Sequence, residues 1–210
     1  PVYAETAVVG TRGRLRLGSA ILGRVGWRSG ETVPCDTLIM SAGWTPSVHL
    51  FSQSRGKLRF DEDGQRFLPG EYAQDCASAG ACNGAANLAA TVEEGLAAGE
   101  AAAKAARPKA TAKPLSIKAE SGGSWDGLML GAGPNPEAGK VVKAFVDFQN
   151  DVTAKDLRLA VREGMRSIEH VKRYTTICTG HDQGKTSGIV ASGIVADLLG
   201  IETGDAGTTT

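Results

Sequence analysis

The 210-residue sequence lacks three features that would place it in a functional class at once. Its 23 basic and 23 acidic side chains cancel, so the basic excess of a dedicated nucleic-acid binder is missing. No apolar run approaches the roughly 18 residues that a membrane-spanning helix needs, so we expect no membrane association. The sequence also starts without Met and without a basic-then-apolar signal region, so we expect it to be the middle of a longer chain.

Cysteine is scarce, with four residues in the chain and no CxxC pair among them. The sequence therefore indicates neither a zinc ribbon nor a thioredoxin motif, and we predict no metal site. Few, irregularly placed cysteines favour reduced thiols and a cytoplasmic protein. The GxGxxG fingerprint of dinucleotide-binding folds is missing too. No Ser–His–Asp set or acid pair can be assembled from spacing, so we predict no catalytic residue in this chain.

The first half of the sequence alternates strand-like and helix-like segments, which indicates an α/β fold. In residues 1–45, short apolar runs separated by glycines predict a small antiparallel meander. Within it, the nearly continuous apolar run of residues 37–42 predicts a strand covered on both faces. Residues 59–64 predict a hairpin or loop. The Ala-rich residues 85–106 predict a helix that ends before Pro108.

The second half begins with a segment rich in Pro, Gly and Ser, residues 107–140, which predicts a linker. Residues 141–148 then alternate as a strand does. Thr153 stands three residues before Asp156, a capping-box pattern that predicts a helix start. Apolar side chains at helical spacing after it predict one buried helical stripe, and residues 187–199 predict a second helix. The stripe consists of Leu157, Val161, Met165, Ile168 and Val171.

Two loops are candidates for binding. Residues 80–84 are small and precede a helix, and the sequence predicts a strand before them, so backbone amides could meet an anion there. The alternative is a tight turn whose small residues only permit packing. In the second loop, Asp182, Gln183 and Lys185 are bracketed by threonines. It could hold a ligand or dock against a partner subunit, or it could be a capped loop between two helices.

Long motifs in both halves resemble one family, the alpha subunit of heterotetrameric sarcosine oxidase. The motifs downstream are Lys143–Asp156, Val161–Gly164, Glu169–Thr176 and Asp182–Ser187; those upstream are Gly43–Ser54 and Gly56–Asp61. Together they extend the resemblance over most of residues 5–105 and 141–210. It implies an internal fragment of such a subunit, whose complex converts sarcosine, O2 and tetrahydrofolate to glycine, H2O2 and 5,10-methylenetetrahydrofolate.

The resemblance implies a partial two-dinucleotide-binding fold of the flavin disulfide-reductase kind, followed by a strand and helical linker region. Its C-terminal half would be residues 1–106, with an irregular linker at 107–140. Residues 141–210 would lead to a folate-binding domain that the chain lacks. NAD would bind this subunit, FAD and FMN would lie mainly with the beta subunit, and beta, gamma and delta subunits would be partners.

Site residues follow from the same resemblance. Ala81 stands where related reductases carry the Asp that contacts flavin ribitol, which favours NAD over FAD here. The residues expected to line the cofactor are Gly80, Ala81, Cys82, Gly84, Asn87 and Ala89. Those expected in an interface or flavin-proximal loop are Thr175, Thr176, Asp182, Gln183, Lys185 and Thr186. Two alternatives stay open: the alpha subunit of an opine, proline or amino-acid dehydrogenase, and a non-catalytic assembly module.

Overall fold

The computed structural model describes residues 1–24, 30–41, 44–109, 115–119 and 144–208. Most of the predicted linker, and the first three residues of the strand predicted at 141–148, lie outside these ranges. The chain divides into two compact units. One comprises residues 1–43 and 129–209, and the other comprises residues 44–128 with Thr210.

The first unit opens with the predicted antiparallel meander, which is confirmed. It consists of β1 (Thr6–Gly13), β2 (Leu17–Arg24) and β3 (Glu31–Pro34), with β2 in the centre. The strand predicted at residues 37–42 is wrong over residues 37–41, which form no strand, and Ala42 lies outside the described residues. Ile39 is 89% exposed there. A continuous apolar run becomes a central strand only between partner strands, and the described residues provide none for it.

The second unit contains α1 (His49–Gln53), the antiparallel pair β4 (Lys57–Asp61) and β5 (Arg66–Glu71), and the long helix α2 (Leu88–Ala106). The β4–β5 pair confirms the hairpin at residues 59–64. The predicted Ala-rich helix is also confirmed, although it begins at Leu88 instead of residue 85. No residue of α2 is buried, so alanine propensity and the Asn87 cap stabilise this helix more than core packing does.

The first unit resumes with the short antiparallel strands β6 (Phe145–Asp147) and β7 (Val152–Thr153). Three helices follow: α3 (Ala154–Arg162), α4 (Ile168–Thr175) and α5 (Gly188–Leu199). The capping box is confirmed: the Thr153 side chain accepts from the Asp156 amide, and Asp156 Oδ2 accepts from the Thr153 amide at 2.9 Å. The second predicted helix is confirmed by α5.

The buried stripe lies on two helices instead of one. Leu157 on α3 and Ile168 and Val171 on α4 are fully buried, while Val161 and Met165 pack at the edge of the same core. The break falls at Gly164, whose φ of +98° is a left-handed conformation that ends a helix and favours glycine. The core is completed by α5, where Ala191 and Val195 are fully buried.

Candidate functional site

The small-residue turn of the second unit packs against its hairpin. Gly80–Asn83 form a short 3₁₀ helix, and Gly84 follows with a φ of +97°. A Cβ atom on Gly84 would lie 2.9 Å from Leu68 Cδ2, so the turn approaches β5 too closely for a side chain. The strand expected before the turn is not formed, since residues 72–79 contain no strand. Packing therefore explains Gly84 without a ligand.

A carboxylate from α2 closes this turn. The Gly80 amide donates to Glu94 Oε2 at 2.9 Å, and Asn83 Nδ2 donates to the same oxygen at 3.1 Å. Gly80 is itself buried. The Gly80 amide, which the sequence predicted as an anion donor, is therefore already bound to the carboxylate of Glu94. A phosphate at that position would be repelled by this negative charge. Glu94 was missed because its role depends on the helix folding back over the turn.

The start of α2 leaves its first amides available. Asn87 caps the helix, with its Oδ1 accepting from the Ala90 amide at 2.9 Å. Among the residues that the structure describes, the amides of Leu88 and Ala89 have no acceptor, which is the ordinary state of a first helical turn. A ligand anion would meet these two amides. Ala81 is exposed, whereas the thiol of Cys82 donates a hydrogen bond to Ala79 O, with Sγ at 3.2 Å.

All six residues expected to line the cofactor therefore lie in one ten-residue segment. Gly80, Ala81, Cys82 and Gly84 belong to the closed turn, and Asn87 and Ala89 belong to the helix start. These residues are close because they are neighbours in sequence. Their contact with a cofactor remains a prediction.

The second candidate loop lies between α4 and α5 in the first unit, and Asp182 organises its C-terminal half. Its Oδ2 accepts from the Thr186 hydroxyl and from the Thr186 amide, the latter at 3.0 Å, and Oδ1 accepts from the Gly184 amide at 3.3 Å. The hydrogen bond from the Thr186 side chain, with weaker backbone bonds, lowers the pKa of Asp182. Gln183 Nε2 donates to Gly180 O at 2.9 Å.

The remaining predicted loop residues have different exposures. Thr175 is half-buried and donates to Val171 O at 2.7 Å, and Thr176 is exposed at the end of α4. Lys185 is exposed, and its ammonium group forms no ion pair within the described part of the chain. Its charge is therefore available to a partner or ligand.

Sequence reasoning missed the residue that holds the first half of this loop. Asp147, at the end of β6, exposes only 3% of its surface. Its Oδ2 accepts from the Cys178 amide at 3.0 Å, across 31 residues of sequence. The neighbouring Gln149 and Asn150 also reach the loop: Gln149 Oε1 accepts from the His181 amide at 2.6 Å, and Asn150 Nδ2 donates to Thr176 O at 3.1 Å. The one available signal was an acid inside an otherwise apolar strand.

Within the described ranges, no group of three or more His, Cys, Asp or Glu side chains is arranged to hold a metal ion. None of the described helices combines the length and apolar character that crossing a membrane requires.

Comparison with known proteins confirms the resemblance predicted from the motifs. Residues 141–210 match the family model described as the sarcosine oxidase A3 domain. The chain is 40% identical over 177 residues to sarcosine oxidase subunit alpha of Corynebacterium sp. (strain U-96), covering 83% of this chain and 18% of that one. It is 36% identical over 207 residues to the alpha subunit of Rhizobium meliloti (strain 1021), covering 98% and 20%. The chain thus spans about a fifth of the length of these curated relatives.

A solved structure shows the same fold. The L-proline dehydrogenase from P. horikoshii superposes with a TM-score of 0.60, covering 94% of this chain and 40% of that chain. Identity is 17%, so the likeness concerns the fold alone. It confirms a mixed α/β architecture of the kind seen in that dehydrogenase.

Proposed function

We propose that this chain works as part of a sarcosine oxidase alpha subunit, since it is similar to such subunits over the fifth of their length that it matches. The observation that carries the proposal is the match of residues 141–210 to the A3 domain, together with 36–40% identity over most of the chain. In this role the chain contributes dinucleotide binding and a subunit interface, and supplies no catalytic residue.

The proposed complex oxidises sarcosine to glycine and reduces O2 to H2O2, while tetrahydrofolate takes the one-carbon unit as 5,10-methylenetetrahydrofolate. FAD and FMN, mainly with the beta subunit, would supply the electron transfer. The beta, gamma and delta subunits and a folate-binding region outside this chain complete the assembly. The proposed fold is part of a two-dinucleotide-binding domain, residues 1–106, joined by residues 107–140 to the A3 region.

The proposed NAD site is the segment from Gly80 to Ala89, and its residues fit the cofactor only in part. The amides of Leu88 and Ala89, at the positive end of α2, suit a phosphate oxygen. The Gly80 amide does not, because Glu94 accepts its hydrogen. We therefore assign phosphate binding to the helix start, and leave the closed turn as its support.

The whole complex tests this function through its substrate and its acceptor. The full alpha subunit is assembled with its partner subunits, and O2 uptake is measured with sarcosine and, separately, with L-proline. We expect uptake with sarcosine. Oxidation of proline with an artificial electron acceptor, without O2 uptake, would favour the dehydrogenase alternative. Equilibrium binding of NAD to the full subunit separates a working cofactor site from an assembly module, which would not bind it.

Lys185 provides a test specific to this chain. We expect Lys185→Ala to weaken association of the alpha subunit with its partners about fivefold, because an exposed charge without an internal ion pair is available to an interface. Association is measured by titrating labelled alpha subunit with its partner subunits. Lys155→Ala, which removes an exposed lysine from α3, is the matched control and should change nothing. If both variants associate with the partner subunits as strongly as the unmodified alpha subunit does, the interface role is contradicted.

A further inference from the structure

Asp147 is the one acidic residue that is buried in the described part of the chain. A buried carboxylate must be compensated, because removing an unpaired charge from water is costly. None of the ion pairs formed by the described residues includes Asp147. Its partners are N–H groups. Oδ1 accepts from the amides of Gln149 and Asn150, at 2.9 and 3.2 Å, and Oδ2 accepts from the Cys178 amide at 3.0 Å.

These contacts are of two kinds. The bonds to Gln149 and Asn150 fold the turn between β6 and β7, and are local. The bond to Cys178 crosses 31 residues and reaches the loop between α4 and α5. The local bonds also fix the backbone of two residues whose side chains touch that loop. Gln149 accepts from the His181 amide, and Asn150 donates to Thr176 O and to Thr179 Oγ1. Asp147, Gln149 and Asn150 therefore hold the loop through four hydrogen bonds.

The loop needs this support because its backbone is strained where the turn contacts it. Thr176 and Cys178 have φ values of +64° and +63°, although neither is glycine. The left-handed region is unfavourable for residues with a Cβ atom, and most of all for a β-branched residue such as Thr176. Gly180 approaches Gln149 so closely that a Cβ there would overlap its side chain. Strained residues persist where surrounding contacts over-determine them.

We propose that Asp147 is the positioning residue for the loop between α4 and α5, and thereby controls how that loop meets a partner subunit. Its carboxylate fixes residues 176–181, and the same loop continues into the Asp182 turn that carries the exposed Lys185. This inference rests on the proposed interface role of the loop. It adds that a buried group, which touches no partner itself, sets the strength of the association.

Asp147→Asn separates positioning from packing. The change keeps the side chain's volume, but replaces one acceptor oxygen with an NH2 group that would face an N–H donor. In the full subunit we expect the amides of residues 176–181 to lose about tenfold in hydrogen-exchange protection. We expect association with the partner subunits to weaken by about fivefold or more, while protection along α5 stays unchanged. Asp197→Asn, an exposed position on α5, is the matched control.

A double variant gives a readout that a purely structural role would not change. If Asp147 acts through the loop that presents Lys185, the two substitutions share one contact, and Asp147→Asn/Lys185→Ala should weaken association by less than the product of the single effects. Multiplicative effects would overturn the proposal. The proposal would also be overturned if Lys185→Ala weakened association and Asp147→Asn left it unchanged. The interface role of the loop would then still stand.

If neither variant alters association, the interface role of the loop fails, and this inference fails with it. If Asp147→Asn also unprotects α5, the domain has lost its fold, and Asn150→Ala becomes the deciding variant. It removes an exposed side chain that binds Thr176 O. We expect it to weaken association about twofold to threefold, since two of the four hydrogen bonds to the loop are lost. Unchanged association would overturn the proposal.

Discussion

The two candidate loops are closed by carboxylates in the same way, but over different distances. Glu94 binds Gly80, 14 residues before it, within a single turn-and-helix segment. Asp147 binds Cys178 across 31 residues and joins a strand end to an interhelical loop. Glu94 is half-buried, whereas Asp147 is buried. The first carboxylate secures a local turn, and the second makes one region's conformation depend on another.

The difference decides which loop can respond to a change elsewhere in its unit. The Gly80 turn is held by its own helix and by β5, so its shape follows from neighbouring sequence. The loop between α4 and α5 is held by the β6–β7 turn, and any shift of that turn reaches it through four hydrogen bonds. The second loop is therefore better suited to couple assembly to the state of its domain.

Asp147→Ala should produce the largest effect. The Cys178 amide loses its buried acceptor and the β6–β7 turn loses two hydrogen bonds, so we expect a destabilisation of about 2–4 kcal/mol. Native-state hydrogen exchange of the amides of residues 176–181 measures it. Asp197→Ala should leave these rates unchanged. If the destabilisation is too small for hydrogen exchange to detect, the loop does not depend on Asp147.

Glu94→Ala should have a smaller effect, confined to its own segment. The Gly80 amide loses its acceptor at a buried position, which costs about 1 kcal/mol. Exchange of the Gly80 amide should speed up about fivefold. Glu93→Ala removes the neighbouring, exposed glutamate from the same helix and serves as the control. A Glu94→Ala effect as large as that of Asp147→Ala would contradict the contrast between a local and a long-range carboxylate.

The sequence predicted what local interactions decide. The capping box of Thr153 and Asp156 lies within four residues and forms as expected. The Ala-rich helix and the glycine-separated meander also follow from nearby residues. The strand at residues 37–41 failed because a strand requires partners that no local pattern specifies. Glu94 and Asp147 were missed for the same reason, since an acid's acceptor role depends on which distant amides the fold brings to it.

The smallest expected effect is a pH dependence within the second loop, at its locally held end. The hydrogen bond from the Thr186 hydroxyl stabilises the ionised form of Asp182 and lowers its pKa from the ordinary value of about 3.8. The carboxylate's contribution to the turn is therefore fully present above that value, and is lost as the pH falls through the lowered pKa of the folded state.

NMR titration of the Asp182 carboxyl in the full chain measures this pH dependence. Thr186→Val removes the hydroxyl and should raise the pKa of Asp182 toward its ordinary value. An identical titration in both proteins would show that the turn 182–186, unlike the part of the loop held by Asp147, gains nothing from its own carboxylate.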